Sequence, residues 1–216
     1  MKRLTTYISY MKDLHSLNKY LNEKLIINKN YKDGYNYHPT TREELEAAIQ
    51  EHYDNDIYDL NDIDVSEITN FSSIFMNENT PNNFDISEWN VSNGKDFSWM
   101  FGGCEKFNCD LSNWDVSKGV DFRYMFYNCN KFNCDLNDWN VSKSRHFNHM
   151  FFGCENFNSN LSKWNVSKCK DFVEMFAHCT NYNSDLSNWN IVVKSDTDGM
   201  FNECDIDDKF KPKGVQ

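Results

Sequence analysis

The sequence predicts a repeat solenoid of the α/β leucine-rich-repeat type, and three observations carry that prediction. Tryptophan recurs at Trp89, Trp114, Trp139, Trp164 and Trp189, Met-Phe from Met100-Phe101 to Met200-Phe201, and cysteine from Cys104 to Cys204, each in steps of 25 residues. A fixed period in this range marks stacked units, none of which can bury its apolar face alone. Within each unit, Leu111-x-x-Trp114-x-Val116 reads as a short strand, and Phe122-x-x-Met125-Phe126 has the i, i+3, i+4 spacing of a helical turn. Upstream, Thr41-Arg-Glu-Glu44 opens an amphipathic helix. The expected architecture is therefore about six 25-residue turns of short parallel strand plus helical turn, closed by a helical N-terminal cap.

Taken in chain order, residues 1–27 carry Leu4, Tyr7, Ile8, Met11, Leu14, Leu17, Leu21 and Leu25 on one face and predict an amphipathic helix. Residues 28–40, rich in Asn, Tyr and Gly, read as a linker. Residues 41–59 form the capping helix and entry, with Leu45, Ala48, Ile49 and His52 or Tyr53 facing the core. The six-turn array spans 60–206. Its first copy is Leu60-x-x-Ile63-x-Val65 followed by Phe71-x-x-Ile74-Phe75, and the step from Leu60 to Ile86 is 26 residues. Thr197 replaces the helical Phe in the last copy, and a polar tail, 207–216, leaves it, as the end of a stack facing water requires.

Composition narrows the function. A net charge of −11 excludes a general nucleic-acid binder, which needs surplus Lys and Arg. No stretch approaches the ~18 apolar residues of a membrane span, and the opening residues are too polar for a signal-peptide core. The expected place is intracellular or virion-associated.

Several columns invite chemistry. Five cysteines in register, with Cys109 and Cys134 in a second column, lack the paired spacing of a zinc site and read as small buried thiols. His146-x-x-His149 and His178 read as surface histidines, so no metal and no other cofactor is expected. Asp96, Asp121 and Asp171 precede Phe and read as N-caps of the helical turn. Asn108, Asn133, Asn158 and Asn183 read as stacked amides satisfying backbone groups at bends, with a polar ligand strip extended by Ser92, Ser117, Ser142 and Ser167 as the alternative. Lys118, Lys143 and Lys168 read as an edge guard. Every acidic residue has copies in other turns, so no catalytic constellation stands out and no enzyme is expected.

Recognition falls where the copies disagree, because packing demands the same residue in every turn and binding does not. Trp99, Tyr124 and His149 occupy one such column, and Tyr127 and Phe152 another. Tyr124 and Tyr127 are three apart, as are His149 and Phe152, so each pair should project from one side of its helical turn while Phe122, Met125 and Phe126 point inward. These five residues form the candidate partner-binding strip.

The unit F-N-x-D-L-S-x-W-N-V-S-x-x-x-D-F-x-x-M-F-x-x-C resembles that of the BspA-like leucine-rich-repeat family, known also for its mycoplasma surface-lipoprotein repeat, over roughly Leu60 to Cys204. The resemblance implies a non-enzymatic solenoid, often a cell-surface adhesin. Short members without a secretion signal are similar to proteins of phages and large viruses. The expected function is a non-catalytic protein-binding or virion-structural module, acting on a protein partner or by self-assembly. An adhesin-like scaffold for a host protein or glycan is the alternative.

Overall fold

The computed structural model describes residues 34–76 and 84–215; the helix expected over 1–27 and the first part of the linker lie outside the described residues. Among them there is one α-helix, α1 (Arg42–Asp54), and a 3-10 turn, Asp208–Phe210. The helix begins where its capping box dictates. The Thr41 side chain accepts from the Glu44 N–H at 3.2 Å, and the Glu44 carboxylate accepts in return from the Thr41 N–H at 3.3 Å. Leu45, Ala48, Ile49 and His52 are its buried face. His52 is held from both sides, with Nδ1 2.7 Å from the Ala48 carbonyl and Nε2 2.8 Å from an Asp62 carboxylate oxygen.

The repeats overturn the leucine-rich-repeat α/β class. Within the described repeats there is neither a strand nor a helical turn; adjacent units meet through isolated parallel bridges, Asn70 to Asp96 and onward through Asp121, His146 and Asp171 to Asp196. Two local causes replace the expected elements. The Leu-x-x-Trp segment closes on itself, Trp114 N–H donating to the Leu111 carbonyl at 3.1 Å, so it bends instead of extending. Asx turns then follow one another: Asp110 accepts from the Ser112 N–H at 2.9 Å, Asp115 from Ser117 at 2.9 Å and Asp121 from Arg123 at 3.1 Å. The Asp96, Asp121 and Asp171 column thus opens turns where helix N-caps were expected.

The Phe-x-x-Met-Phe segment is likewise a series of turns. Met125 N–H donates to the Phe122 carbonyl, Tyr127 to Tyr124 and Cys129 to Phe126. Tyr124 and Asn128 lie at φ 57° and 56°, the left-handed region that the third position of a type II turn takes. The alternation turns every second peptide group along the stack. Phe122, Tyr124, Phe126 and Asn128 donate to the carbonyls of His146, Asn148, Met150 and Phe152 in the next unit, at 2.7 to 3.1 Å. The same four positions donate in the units of Phe97, Phe147 and Phe172. A helical turn would have spent these N–H groups on itself.

The core runs down the middle of this stack. Phe97, Phe122, Phe147 and Phe172 are fully buried, as are Phe101, Phe126, Phe151 and Phe176. Each indole N–H reaches back one unit, Trp114 to the Ile86 carbonyl at 3.2 Å, Trp139 to Leu111 at 3.0 Å and Trp164 to Leu136 at 2.8 Å. Cys129, Cys154 and Cys179 do the same with their thiols, to Phe101, Phe126 and Phe151. The asparagine column is a ladder: Asn133, Asn158 and Asn183 each donate their N–H to the side-chain oxygen of the asparagine one unit earlier, at 2.9 to 3.0 Å. At the leading end, Asn36 and Tyr37 donate to the Asp62 carbonyl, adding a rung beside Ile63. At the trailing end the Phe210 carbonyl accepts from Leu186 N–H at 2.8 Å, folding the tail over the last units.

Candidate partner-binding strip

All five residues of the expected strip come together in one continuous cluster. The Trp99 and Tyr124 rings lie 4.2 Å apart and 6° from parallel, and Tyr124 and His149 4.5 Å and 13°. A second column runs beside the first, Tyr127 stacking on Phe152 at 4.9 Å. Cross-contacts join them: Trp99 to Tyr127 at 5.4 Å, Tyr124 to Tyr127 at 5.7 Å and His149 to Phe152 at 5.8 Å. The inward set stands apart, since Phe122, Met125 and Phe126 have no exposed surface.

The route to this geometry differs from a helical turn. Trp99, Tyr124 and His149 all have positive φ, 58°, 57° and 57°, and so do Ser73 and Glu174 at the same position of other units. A bulky residue in this region is strained by about 1–2 kcal/mol. Because the strain recurs in every unit whatever the side chain, it belongs to the stack and not to the strip. The alignment it imposes lets the rings stack face to face.

The five residues are half-buried, not fully exposed. Facing ring surfaces are spent on one another, leaving ring edges, the tyrosine hydroxyls and the indole N–H to a partner. Gly102 shows how tightly the first unit is fitted, because a Cβ there would meet the Trp99 ring at 2.6 Å. His178 extends the cluster, edge-on to Phe152 at 4.9 Å. It was not part of the expected strip, although its column holds Gly103 and Gly153, a readable sign of left-handed backbone. Carboxylates rim the His end: Glu174 contacts His149 Nε2 at 3.1 Å and Glu203 contacts His178 Nδ1 at 2.9 Å.

Elsewhere the polar columns are occupied by the fold. Asn90, Asn140 and Asn165 accept from the N–H groups of Ser92, Ser142 and Ser167. No three metal-ligating side chains converge among the described residues. Burial pushes the thiols of Cys129, Cys154 and Cys179 well above the ordinary range, and those of Cys134 and Cys169 up to about 12, which keeps them protonated and poorly nucleophilic.

The family described as "Mycoplasma protein of unknown function, DUF285" matches the chain over residues 43–152 and 135–210, the whole of the stack and nearly all of α1. The chain belongs to this family. No curated protein and no solved structure matches it. The DUF285 match begins at Glu43, one residue into α1, and ends at Phe210, so it includes the cap, the strip and the start of the tail. No helix of this DUF285 chain among the described residues is long and apolar enough to cross a membrane.

Proposed function

We propose that this DUF285 chain is a non-catalytic module that presents the strip of Trp99, Tyr124, Tyr127, His149 and Phe152 to a protein partner or to a second copy of itself. The carrying observation is the two-column aromatic cluster, which crosses successive units at positions the stack leaves free to vary. Aromatic side chains with usable polar edges are the residues that dominate protein interfaces. The reading includes the BspA-like branch of the repeat, on the strength of the unit's wording. A reducing surrounding, intracellular or inside a virion, fits the free thiols of Cys129, Cys154 and Cys179.

Two features favour a protein over a glycan. Sugar rings stack on aromatic faces, and here Tyr124 has a ring on each face while Trp99, His149, Tyr127 and Phe152 each turn one face to a neighbouring ring. The side-chain oxygens of the Asn column are engaged by the Ser N–H groups of the chain's own turns, and the Ser142 and Ser167 hydroxyls donate to the same oxygens.

The test is the triple replacement of Tyr124, Tyr127 and Phe152 by Ser, read by affinity capture from the native source and by light scattering of the purified chain. Loss of the captured protein, or of self-association, with the near-ultraviolet circular dichroism of the core retained is the expected result. Unchanged capture and unchanged mass would remove the strip from consideration.

A further inference from the structure

Each internal unit hands four backbone N–H groups to the unit that follows it. Phe172, Glu174, Phe176 and His178 donate to the carbonyls of Asp196, Asp198, Met200 and Asn202 at 2.8 to 2.9 Å. The corresponding groups of the last unit belong to Thr197, Gly199, Phe201 and Glu203, and none of the four has an acceptor among the described residues. The tail covers a different part of this end: Phe210 takes the Leu186 N–H, and the Lys211 ammonium lies 5.9 Å from the Phe201 ring centre. Thr197 and Gly199 remain half-buried and Glu203 exposed.

We propose that this trailing edge docks a turn of the same repeat type carried by another polypeptide. The hydrogen-bonding chemistry selects that occupant. An ordinary strand edge alternates donors and acceptors, so it would place its own N–H groups against this donor row. A second copy of the same edge would meet it donor to donor. A free anion is disfavoured by Asp198, Glu203 and Asp205 on and beside the row, Asp207 being paired with Lys209. What fits is a row of carbonyls all pointing one way, and the internal units show that a turn of this repeat supplies one. The leading edge of this same chain is closed to the role, because the Arg42 guanidinium of α1 donates to the Ser72 carbonyl and hydroxyl. The partner is therefore a repeat-bearing chain whose first turn is uncapped.

The test supplies such a turn at high local concentration. The full chain is extended after Gln216 by a flexible Gly/Ser linker of roughly 20 residues, reaching about 25 Å on average, and then by a copy of residues 170–181. The control carries the same twelve residues scrambled. Amide hydrogen exchange resolved by NMR should show Thr197, Gly199, Phe201 and Glu203 exchanging freely in the control and at least about tenfold more slowly in the extended chain. Phe172, Glu174, Phe176 and His178 should be slow in both. Exchange at the four edge amides that is already slow in the control overturns the proposal, as does an extended chain in which they stay fast. Equal slowing of the control by inorganic phosphate alone also overturns it, in favour of an anion site.

Discussion

The Trp99 indole lies 4.2 Å from the Tyr124 ring with the two planes 6° apart, although the residues are 25 positions distant in sequence. The relationship follows from backbone geometry. Both residues sit at the left-handed position of equivalent turns, so their side chains leave the stack in parallel.

That geometry inverts the usual order of two substitutions at Tyr124. Tyr124→Ala loses the ring contacts and keeps a Cβ at φ 57°. Tyr124→Gly loses the same contacts and relieves the backbone, so it should be the more stable variant by about 1 kcal/mol in urea unfolding. Alanine equal to or better than glycine would contradict the left-handed assignment.

Trp139 is buried to 2% exposure, stacks on Trp114 at 6.4 Å and donates to the Leu111 carbonyl. Trp139→Phe keeps an aromatic ring and removes one of the two hydrogen bonds that the Leu111 carbonyl accepts, the Trp114 N–H remaining, which should cost about 0.5–1.5 kcal/mol. Trp139→Ala should cost about 3–5 kcal/mol and can split the unfolding transition of the stack. A phenylalanine variant with wild-type stability would show that the indole bond contributes nothing.

Tyr182 stands in the column of Phe107, Phe132 and Phe157, fully buried, with its hydroxyl unpartnered among the described residues. Burying a hydroxyl without a hydrogen bond is unfavourable. Tyr182→Phe should therefore raise the thermal midpoint, by an amount corresponding to about 1 kcal/mol. A lower midpoint would mean that the hydroxyl has a partner in solution.

Acid should weaken the stack through its Asx turns. The hydrogen bonds from Ser117 hold Asp115 below the ordinary carboxylate range, and those from Ser112 and Ser187 do the same for Asp110 and Asp185. A depressed folded-state pKa gives stability that is present above the unfolded value of about 4 and lost as pH falls through the folded value. Denaturant midpoints should thus decline from about pH 4 downward. Asp115→Asn keeps the acceptor, as Asn90, Asn140 and Asn165 do in the same column, and should make that decline shallower. An unchanged slope would assign the acid sensitivity to other carboxylates.

Much of this was legible because repetition makes packing visible. The period located the buried Phe, Met, Trp and Cys columns, and the capping-box spacing located the start of α1. The asparagine ladder was legible too, since an amide repeated at one position has its own copy as a neighbour. What misled was apolar spacing taken alone. Leu111-x-x-Trp114-x-Val116 and Phe122-x-x-Met125-Phe126 fit a strand and a helical turn, and both patterns are met equally well by successive tight turns with the same side chains inward. The deciding signals were polar: Asp or Asn two residues before an N–H that it captures, and glycine alternating with Asn and His at Gly103, Asn128, Gly153 and His178. The indole bond to the preceding unit had no counterpart in the pattern, because Leu, which fills that slot in the spacing it resembles, has no donor.

The one-way alignment of peptide groups through the Phe-x-x-Met-Phe segments gives the stack an electrical polarity that ordinary sheets lack, where strand dipoles largely cancel. Elsewhere in each turn some peptide groups point back, as Val120 does to the Lys95 carbonyl and Lys131 to Glu105, so the polarity belongs to this one wall, where four aligned peptide dipoles per unit leave partial positive charge at Thr197 to Glu203 and partial negative charge at Asn70 to Ile74. Several side chains at the two ends match that field, while Lys211 beside Phe201 opposes it. Arg42 sits against the negative end, on Ser72, and Asp198, Glu203 and Asp205 cluster at the positive end. That wall of the stack thus carries a helix-like dipole without a helix's own hydrogen bonds, and a partner approaching along it meets a different sign at each end.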